Sequence, residues 1–212
     1  MLTITLKDVT KYWHKQPFSA KILDHLNISF CQPNKYVIYG LNGSGKSTIL
    51  KILVGLESVS SGQVIWQDNI HLNQSQNFSI CAPWVEIIEE LTGLEFLHFH
   101  FKLKPIKSGW TIGQILDTLN LTKYKDQKIK TYSSGMVQKL KWSQALFSEV
   151  SCIFLDEPLS NLDEVSQQIL KDILLKYCSQ QLVILATNTT QELTWGAINY
   201  RLEEGLLSEN FS

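Results

Sequence analysis

Alternation of apolar and polar residues dominates the first part of the chain and predicts β-structure there. Residues 2–9 and 25–31 alternate in this way, and Lys35 to Tyr39 is a short run of strand-forming residues that ends at a glycine. Helix-forming residues follow from Lys46 to Leu56. Further strands are predicted at Gly62 to Trp66 and at Ser79 to Ala82. The order of strand, glycine loop and helix indicates an α/β core.

The middle of the chain has the spacing of amphipathic helices. Apolar residues between Val85 and Lys104 recur at helical intervals, and Thr111 to Leu121 and residues 134–147 repeat the pattern. No internal repeat or low-complexity linker divides the sequence. We therefore expect one domain, residues 1–212, in which a helical subdomain at approximately 84–149 is inserted into the α/β core.

Two short apolar runs, Cys152 to Leu155 and Leu182 to Ala186, lie in the second half of the chain. Continuous apolar runs of this length are typical of parallel strands that are buried on both faces. The predicted fold class is therefore α/β with a mainly parallel sheet.

Composition narrows the classes of function. With 19 basic and 20 acidic side chains the formal net charge is -1, so no nucleic-acid partner is expected. The four cysteines lie far apart without a C-x-x-C pair, which argues against a zinc ribbon or a disulfide framework and suits the reducing cytoplasm. No apolar run approaches the ~18 to 20 residues that a membrane-spanning helix needs. Any contact with a membrane is therefore expected to go through a partner.

Residues 40–48 read GLNGSGKST and match the pattern G-x-x-x-x-G-K-S between a predicted strand and a predicted helix. Glycines let successive backbone N–H groups face one point, and the positive N-terminus of the helix adds to them, which makes a seat for phosphate. Lys46 is then the cation for the β and γ phosphates of ATP, and the Ser47 hydroxyl is a ligand for Mg²⁺. The predicted ATP-binding residues of this phosphate loop are Gly40, Asn42, Gly43, Ser44, Gly45, Lys46, Ser47 and Thr48. A glycine turn with an incidental Lys-Ser pair is the alternative interpretation.

Two carboxylates end the first of the apolar runs. Asp156 would hold Mg²⁺ through water, and Glu157 would act as a general base or orient the water that attacks the γ-phosphate. Parallel strands place ligands at their carboxyl ends, where this pair falls. An acidic pair at a helix N-terminus is the structural alternative. Together with the phosphate loop, however, the pair predicts an ATPase site.

The segment Tyr132-Ser133-Ser134-Gly135-Met136 stands upstream of that strand and is similar to the L-S-G-G-Q signature of the ABC ATPase family. Residues 160–163, which read SNLD, resemble the D-loop of the family, and Leu182 to Thr187 resembles the strand before its switch histidine. The resemblance spans nearly the whole chain. It implies a P-loop NTPase core with an N-terminal antiparallel β subdomain and an inserted helical subdomain.

The resemblance also implies a homodimer, or a heterodimer with a second ATP-binding subunit. Each ATP would lie between one phosphate loop and the signature helix of the partner. Ser133, Ser134 and Gly135 would form that second phosphate-binding surface at a helix N-terminus, and Asp163 would help to join the two sites.

An aromatic residue is expected at the adenine of the nucleotide. Tyr12, in the loop that is predicted after the first strand, matches the family position whose ring stacks on adenine. The neighbouring Trp13 is the alternative contact, and a partly exposed core aromatic is the structural interpretation.

Two positions depart from the family pattern. The lid glutamine of the family is absent, since residues 81–84 read CAPW. Gln74 and Gln76 lie before the strand that leads into this segment, so they are not expected to replace it. Glu86 lies close by in the sequence, and proximity is the only argument for it. Asn188 stands in the place of the switch histidine. Its amide can hydrogen-bond the γ-phosphate, but it is shorter and cannot exchange a proton near neutral pH, so slower hydrolysis is expected.

The leading functional prediction is the ATPase of a transporter that acts on a transmembrane permease subunit from the cytoplasmic face of the membrane. The apolar stretch from Trp84 to Phe101 would be the contact surface, although most of it is also expected to form the core of the helical subdomain. A soluble ABC ATPase that clamps DNA or the ribosome, a slow ATP-dependent switch and a small P-loop kinase are the alternatives. The cargo is not encoded in these features.

Overall fold

The computed structural model describes residues 1–15, 18–67, 77–160, 162–196 and 198–209 of the chain. Gln74 and Gln76, which were considered for the lid, lie outside the described residues. Asn161 of the D-loop segment lies outside them as well.

A small antiparallel sheet is formed by three strands near the N-terminus. They are β1 (Thr3–Lys15), β2 (Phe18–Cys31) and β4 (Ser61–Gln67). β1 lies in the centre and pairs with β2 on one side and β4 on the other. β1 is longer than predicted, since its pairing with β2 continues well beyond residue 9.

Within the described ranges, a larger sheet of six strands carries the candidate functional residues. Its strands are β3 (Lys35–Tyr39), β5 (Phe78–Cys81), β6 (Cys152–Asp156), β7 (Leu182–Thr187), β8 (Ile198–Glu203) and β9 (Leu206–Glu209). They lie in the order β5-β6-β7-β3-β8-β9, and only β9 runs antiparallel to its neighbour. The predicted α/β fold, with a mainly parallel sheet and a separate antiparallel sheet, is confirmed.

Five α-helices accompany these strands in the described part of the chain. They are α1 (Lys46–Leu53), α2 (Gly93–Leu103), α3 (Ile112–Thr118), α4 (Ser134–Leu146) and α5 (Glu164–Tyr177). Short 3₁₀ turns lie at Thr122–Tyr124, Ile129–Thr131 and Gln191–Trp195. Helices α2, α3 and α4 all lie between β5 and β6 in the sequence, where the helical insertion is expected.

The helix that was predicted from Val85 begins only at Gly93. Thr92 is the N-cap and fixes the start of the helix through a capping box. The Thr92 hydroxyl accepts the Glu95 N–H at 3.1 Å, and the Glu95 carboxylate accepts the Thr92 N–H at 2.7 Å. Apolar spacing before the cap reflects packing of side chains such as Ile87 and Leu91 against the core, which needs no helix.

The core explains the two continuous apolar runs. Along β6, Cys152 and Phe154 face a core shared with α1 and the antiparallel sheet, whereas Ile153 and Leu155 face a core shared with the helices of the insertion. Successive side chains of a strand point to opposite faces, so a strand that is covered on both faces must be apolar at every position.

Neither a disulfide nor a membrane-spanning helix is found among the described residues. All four cysteines are free thiols, and Cys81, Cys152 and Cys178 are buried. Among the helices of the described ranges, none has both the length and the apolar character required to cross a membrane.

His100 on α2 provides a pH-dependent test of the packing of the insertion. Its Nε2 lies 2.9 Å from Ser148 Oγ, and burial, assisted by Lys104, lowers the pKa of His100 to about 4 from 6.5. The unfolded chain therefore binds this proton more tightly, so the free energy of unfolding should fall as the pH drops from 6.5 towards 4. We expect His100→Gln to remove roughly 1–3 kcal/mol of that fall in urea unfolding curves.

The control for this experiment is His98→Gln, because His98 is exposed on the same helix. Identical pH dependence in both variants would show that the proton binding of His100 does not contribute to stability.

Candidate functional site

The register of the parallel strands brings four chain segments to one edge of the sheet. Leu155 pairs with Cys81, Asp156 pairs with Ala186, and Tyr39 pairs with Thr187. The residues that follow β5, β6, β7 and β3 therefore lie side by side. These are the lid segment, the acidic pair, the switch position and the phosphate loop, all at the carboxyl edge where α/β sheets bind ligands.

The phosphate loop depends on backbone conformations that glycine adopts without strain. Gly43 and Gly45 have φ values of 82° and 108°, and α1 begins directly after Gly45. A Cβ atom at Gly45 would lie 2.8 Å from Ile22 Cγ2, whereas a Cβ atom at Gly43 would contact no atom within 4 Å. The first turn of α1 carries no acidic side chain, so its positive end is left for an anion.

Lys46 lies across the base of this loop. Its Nζ donates to the carbonyl oxygens of Gly40 at 2.8 Å and Leu41 at 3.0 Å, and it lies 4.0 Å from Oε1 of Glu157. Only 5% of Lys46 is exposed, and this burial lowers its pKa while Glu157 and Asp156 oppose the shift. The ammonium group is thus held inside the loop and close to the carboxylate of Glu157.

The acidic pair has two different environments. Asp156 is 1% exposed; its Oδ2 accepts the indole N–H of Trp84 at 2.9 Å, while Oδ1 is buried with no hydrogen-bond partner among the described residues. Glu157 has a φ of 48°, which is strained for a residue with a side chain, and its N–H donates to the carbonyl of Ala186 at 2.9 Å. Burial raises the pKa of Glu157, Lys46 opposes the shift and Asp156 adds to it.

A cavity of about 310 Å³ opens beside the phosphate loop. It is lined by Trp13, Ile22, Asn42, Gly43, Gly45, Lys46, Ser47, Thr48 and Glu157. Most of the predicted phosphate-loop residues and the predicted base therefore share one space. Gly40 and Ser44 line a neighbouring cavity on the side of β8.

Tyr12 lies inside β1 and not in a loop after it, so that part of the prediction is wrong. Neighbouring residues of a strand face opposite sides. Trp13 accordingly lines the cavity beside the phosphate loop, and its side chain is 38% exposed, whereas Tyr12 is not among the lining residues. The aromatic wall of the described cavity is Trp13.

The switch position contacts the phosphate loop directly. The amide of Asn188 donates from Nδ2 to Oδ1 of Asn42 at 2.7 Å. Just before it, the carbonyl of Thr187 accepts the N–H of Gly40 at 3.2 Å. Asn188 is therefore placed where it can sense the occupancy of the loop.

Glu192 is a buried carboxyl that the sequence patterns did not single out. It is 1% exposed, and its Oε2 accepts the hydroxyls of Thr187 and, at 2.6 Å, Thr189. Burial raises its pKa, the two threonine hydroxyls oppose the shift and Glu157 adds to it. Glu192 thus fixes both neighbours of Asn188; the only sequence signal was an acidic residue soon after a buried strand.

A protein-family model described as ABC transporter matches residues 23–160, which is more than half of the chain. The chain belongs to the ABC transporter family. It is an ATP-binding protein of that family, and the resemblance that was based on its motifs is confirmed.

Curated relatives of this ABC protein vary in size. An uncharacterized ABC transporter ATP-binding protein of Haemophilus influenzae is 27% identical over 174 residues, which cover 81% of this chain and 71% of that protein. The phospholipid-transporting ATPase ABCA3 of Rattus norvegicus is 33% identical over 198 residues, or 89% of this chain. The chain spans only 12% of that rat protein.

Solved structures show the same fold. A dimeric ATP-binding cassette in a post-hydrolysis state with ADP and phosphate superposes with a TM-score of 0.85 at 23% identity and covers 98% of this chain and 97% of that chain. A bacterial ABC exporter with ATP bound superposes with a TM-score of 0.79 at 17% identity, covering 98% of this chain and 38% of that chain.

The residues that were predicted as the signature and the D-loop lie at the starts of two helices. Ser133 caps α4, since its hydroxyl accepts the N–H of Met136 at 3.3 Å, and Ser134 and Gly135 form the first turn. Asp163 caps α5 by accepting the N–H of Ser166 at 2.7 Å, and this bond holds the pKa of Asp163 below its usual value. The described cavity beside the phosphate loop is not lined by any of these residues.

The two positive-φ glycines of the phosphate loop give a matched pair of substitutions. Gly43→Ala adds backbone strain alone and should lower the free energy of unfolding by roughly 1 kcal/mol. Gly45→Ala adds both strain and the contact with Ile22, so a loss of roughly 2–3 kcal/mol is expected. Urea unfolding without nucleotide measures both, and equal losses would contradict the close approach of Gly45 to β2.

Proposed function

We propose that this ABC protein hydrolyses Mg-ATP as a dimer and thereby drives transport through a separate membrane subunit. The observation that carries the proposal is the cavity that Lys46, Ser47 and Glu157 line together, with Nζ of Lys46 4.0 Å from Oε1 of Glu157. We further propose that residues 1–212 form one ATPase domain with a helical insertion at approximately 84–149.

The donor set beside the loop fits a magnesium ion. Asp156 offers a buried oxygen, Oδ1, with no partner in the described part of the chain, and Ser47, which carries a hydroxyl, lines the cavity beside the phosphate loop. Oxygen donors of this type suit Mg²⁺, which keeps several of its waters. Ser47 and, through water, Asp156 would hold the ion. When bound, Mg²⁺ neutralises charge on the β- and γ-phosphate oxygens of ATP.

Glu157 is the proposed base for hydrolysis. It lines the same cavity as the phosphate loop, and its Oε1 lies 4.0 Å from Nζ of Lys46. A carboxylate in this position can accept a proton from, or orient, a water at the γ-phosphate. Asn188, hydrogen-bonded to Asn42, would contribute an amide donor to the same phosphate.

An aromatic contact for adenine is proposed at the same cavity. Tyr12 is predicted for this role from the family position, but Trp13, which is 38% exposed, is the aromatic residue that lines the cavity. A flat ring of this size offers a stacking face to a purine base. The structure therefore supports Trp13 over Tyr12 as the stacking residue.

The dimer would complete each ATP site. Ser133, Ser134 and Gly135 begin α4, where backbone N–H groups lack partners within the helix, and they lie outside the cavity of their own chain. We propose that they bind the ATP held by a second subunit, identical or different, and that Asp163 lies at the junction between the two sites.

The hydrolytic role is tested with Glu157→Gln. Loss of the base should lower steady-state ATP hydrolysis roughly 10²–10⁴-fold, with ATP affinity retained. Because ATP is then not consumed, the variant should elute as a dimer in size-exclusion chromatography with Mg-ATP. The control is Glu209→Gln at the exposed edge strand β9. Unchanged hydrolysis in Glu157→Gln would rule out Glu157 as the base.

A slow ATP-dependent switch is the second candidate function. The family position of the switch histidine holds Asn188, whose amide cannot exchange a proton near neutral pH. Its hydrogen bond to Asn42 still links the switch position to the phosphate loop. Proton transfer by a histidine at this position is lost. The same assays separate the candidates, because the switch binds ATP and dimerises with little turnover even in the unmodified protein.

The membrane partner is proposed to bind the start of the helical insertion, at the cytoplasmic face. Most apolar side chains of residues 84–101 are packed in the core, but Ile88 and Phe99 are 45% and 47% exposed. A neighbouring groove of about 450 Å³ is lined in part by Val85, Ile87 and Val137. Glu86, Glu89, Glu90 and Lys141 line the same groove, so it could receive a partner helix that has both apolar and charged side chains.

Purification from detergent-solubilised native membranes tests this partner. We expect a stoichiometric multi-spanning permease to be recovered with the unmodified protein, and much less of it with Ile88→Glu, because a charge would be buried in the contact. Leu206→Glu is the control, since Leu206 is 56% exposed on β9. Recovery of soluble proteins, ribosomes or DNA instead would contradict the transport function.

A further inference from the structure

The first segment of the helical insertion contacts the acidic pair through a tryptophan. Trp84 stands three residues after the end of β5, in the segment where the family pattern has its lid glutamine. Its indole Nε1–H donates to Oδ2 of Asp156 at 2.9 Å. A residue that belongs in sequence to the insertion thus hydrogen-bonds the carboxylate at the end of β6.

An indole cannot replace the chemistry of a glutamine at a metal. Its N–H is a donor only and offers no lone pair to a cation, whereas an amide side chain also carries an acceptor oxygen. Any effect of Trp84 on a metal ion must therefore act through the group to which it donates. That group is Asp156, which was assigned above to the magnesium site.

The two oxygens of Asp156 are made unequal by this bond. Oδ2 is occupied by Trp84, and Oδ1 is buried without a partner among the residues that the structure describes. Since Asp156 is 1% exposed, water does not satisfy Oδ1 freely. The hydrogen bond therefore fixes the rotation of the carboxylate and selects Oδ1 as the oxygen left for the ion and its water.

Trp84 is itself held from two sides. Nζ of Lys141 on α4 donates to the carbonyls of Ala82 and Pro83, each at 3.2 Å, which fixes the backbone before Trp84. Nζ of Lys51 on α1 lies 5.1 Å from the centre of the Trp84 ring, a cation–π contact. The position of the indole thus depends on both the signature helix and the helix of the phosphate loop.

We propose that Trp84 is a positioning residue for the magnesium site, which acts by orienting Asp156 and not by contacting the ion. This inference rests on the Mg-ATP site proposed above. In this chain the lid segment would therefore affect the metal ion through Asp156 and not by direct contact. Movement of the insertion by a membrane partner would reach the metal site through one hydrogen bond.

The test compares nucleotide affinity with and without the metal. Trp84→Phe keeps an aromatic ring and removes the indole donor, together with part of the ring volume that the control below also loses. Binding of a fluorescent ADP is titrated in excess Mg²⁺ and again in EDTA. Outer-shell partners of metal ligands commonly contribute 10- to 100-fold to metal affinity, so we expect the variant to lose roughly 10-fold of the Mg²⁺-dependent affinity. Its affinity in EDTA should match that of the unmodified protein.

The matched control is Trp66→Phe. It also removes an indole donor, since Nε1 of Trp66 donates to the carbonyl of Leu53 at 3.1 Å, but this bond is partly buried at the end of α1 and does not involve the acidic pair. Thermal unfolding of both variants reports any general loss of stability. The control should keep its Mg²⁺-dependent affinity; an equal loss in both variants would overturn the assignment to Trp84.

Two further outcomes are distinct. If Trp84→Phe and the unmodified protein gain the same affinity from Mg²⁺, Asp156 is oriented without Trp84 and the inference is wrong, while the proposed ATPase stands. If the unmodified protein itself gains no affinity from Mg²⁺, the proposed metal site fails and the inference fails with it.

A second measurement does not depend on the folding of the variant. In the unmodified protein labelled with ¹⁵N-tryptophan, the indole resonance of Trp84 should shift when Mg²⁺ is added to the ADP complex. It should stay in place when ADP is added in EDTA. If the chemical shift of the Trp84 indole did not change on addition of Mg²⁺, the proposed link between Trp84 and the metal site would be wrong.

Discussion

Parallel pairing of β5, β6, β7 and β3 is the constraint on which the candidate site depends. In this arrangement the carboxyl ends of the strands meet at one edge, and the pairs Asp156–Ala186 and Tyr39–Thr187 fix the relative heights of the loops that follow. A slip of one residue would turn each side chain to the opposite face. The apolar positions on both faces of β6 prevent such a slip, because they pack into two separate cores.

Burial of charge at that edge gives the site its chemical character. Lys46 is nearly inaccessible and is held by the carbonyls of Gly40 and Leu41, while Asp156 is nearly inaccessible and has one oxygen without a partner among the residues that the structure describes. Buried charges are costly unless they are paired or hydrogen-bonded. A cation beside Asp156 would pair with its free oxygen and a phosphate beside Lys46 would balance its charge, which agrees with the proposed Mg-ATP site.

Contacts between α4 and the site connect the signature region to the acidic pair within one chain. Gln138 and Trp142 both donate to the carbonyl of Pro158, directly after Glu157, and Lys141 holds the turn before Trp84. These side chains lie on one helix whose first turn is proposed to face the ATP of another subunit. Because close-packed side chains transmit strain, a displacement at the start of α4 would also move the residues around the acidic pair.

The sequence by itself determined the elements that depend on local pattern. The phosphate loop, the acidic pair and the switch position follow from short motifs at strand ends, because a strand that is buried on both faces leaves an uninterrupted apolar signal before each of them. The start of α2 at Gly93 was missed, since apolar spacing alone does not distinguish a helix from an irregular segment that packs on the core.

Tertiary structure alone decided the contacts between distant segments. The side of β1 on which Trp13 lies, the hydrogen bond from Trp84 to Asp156, and the burial of Glu192 beside Glu157 all depend on how the sheets and helices pack. Nothing in the local sequence of these residues encodes them, because each partner lies on another strand or loop. Residue pairs such as Trp84 and Asp156 become neighbours only when the parallel sheet has formed.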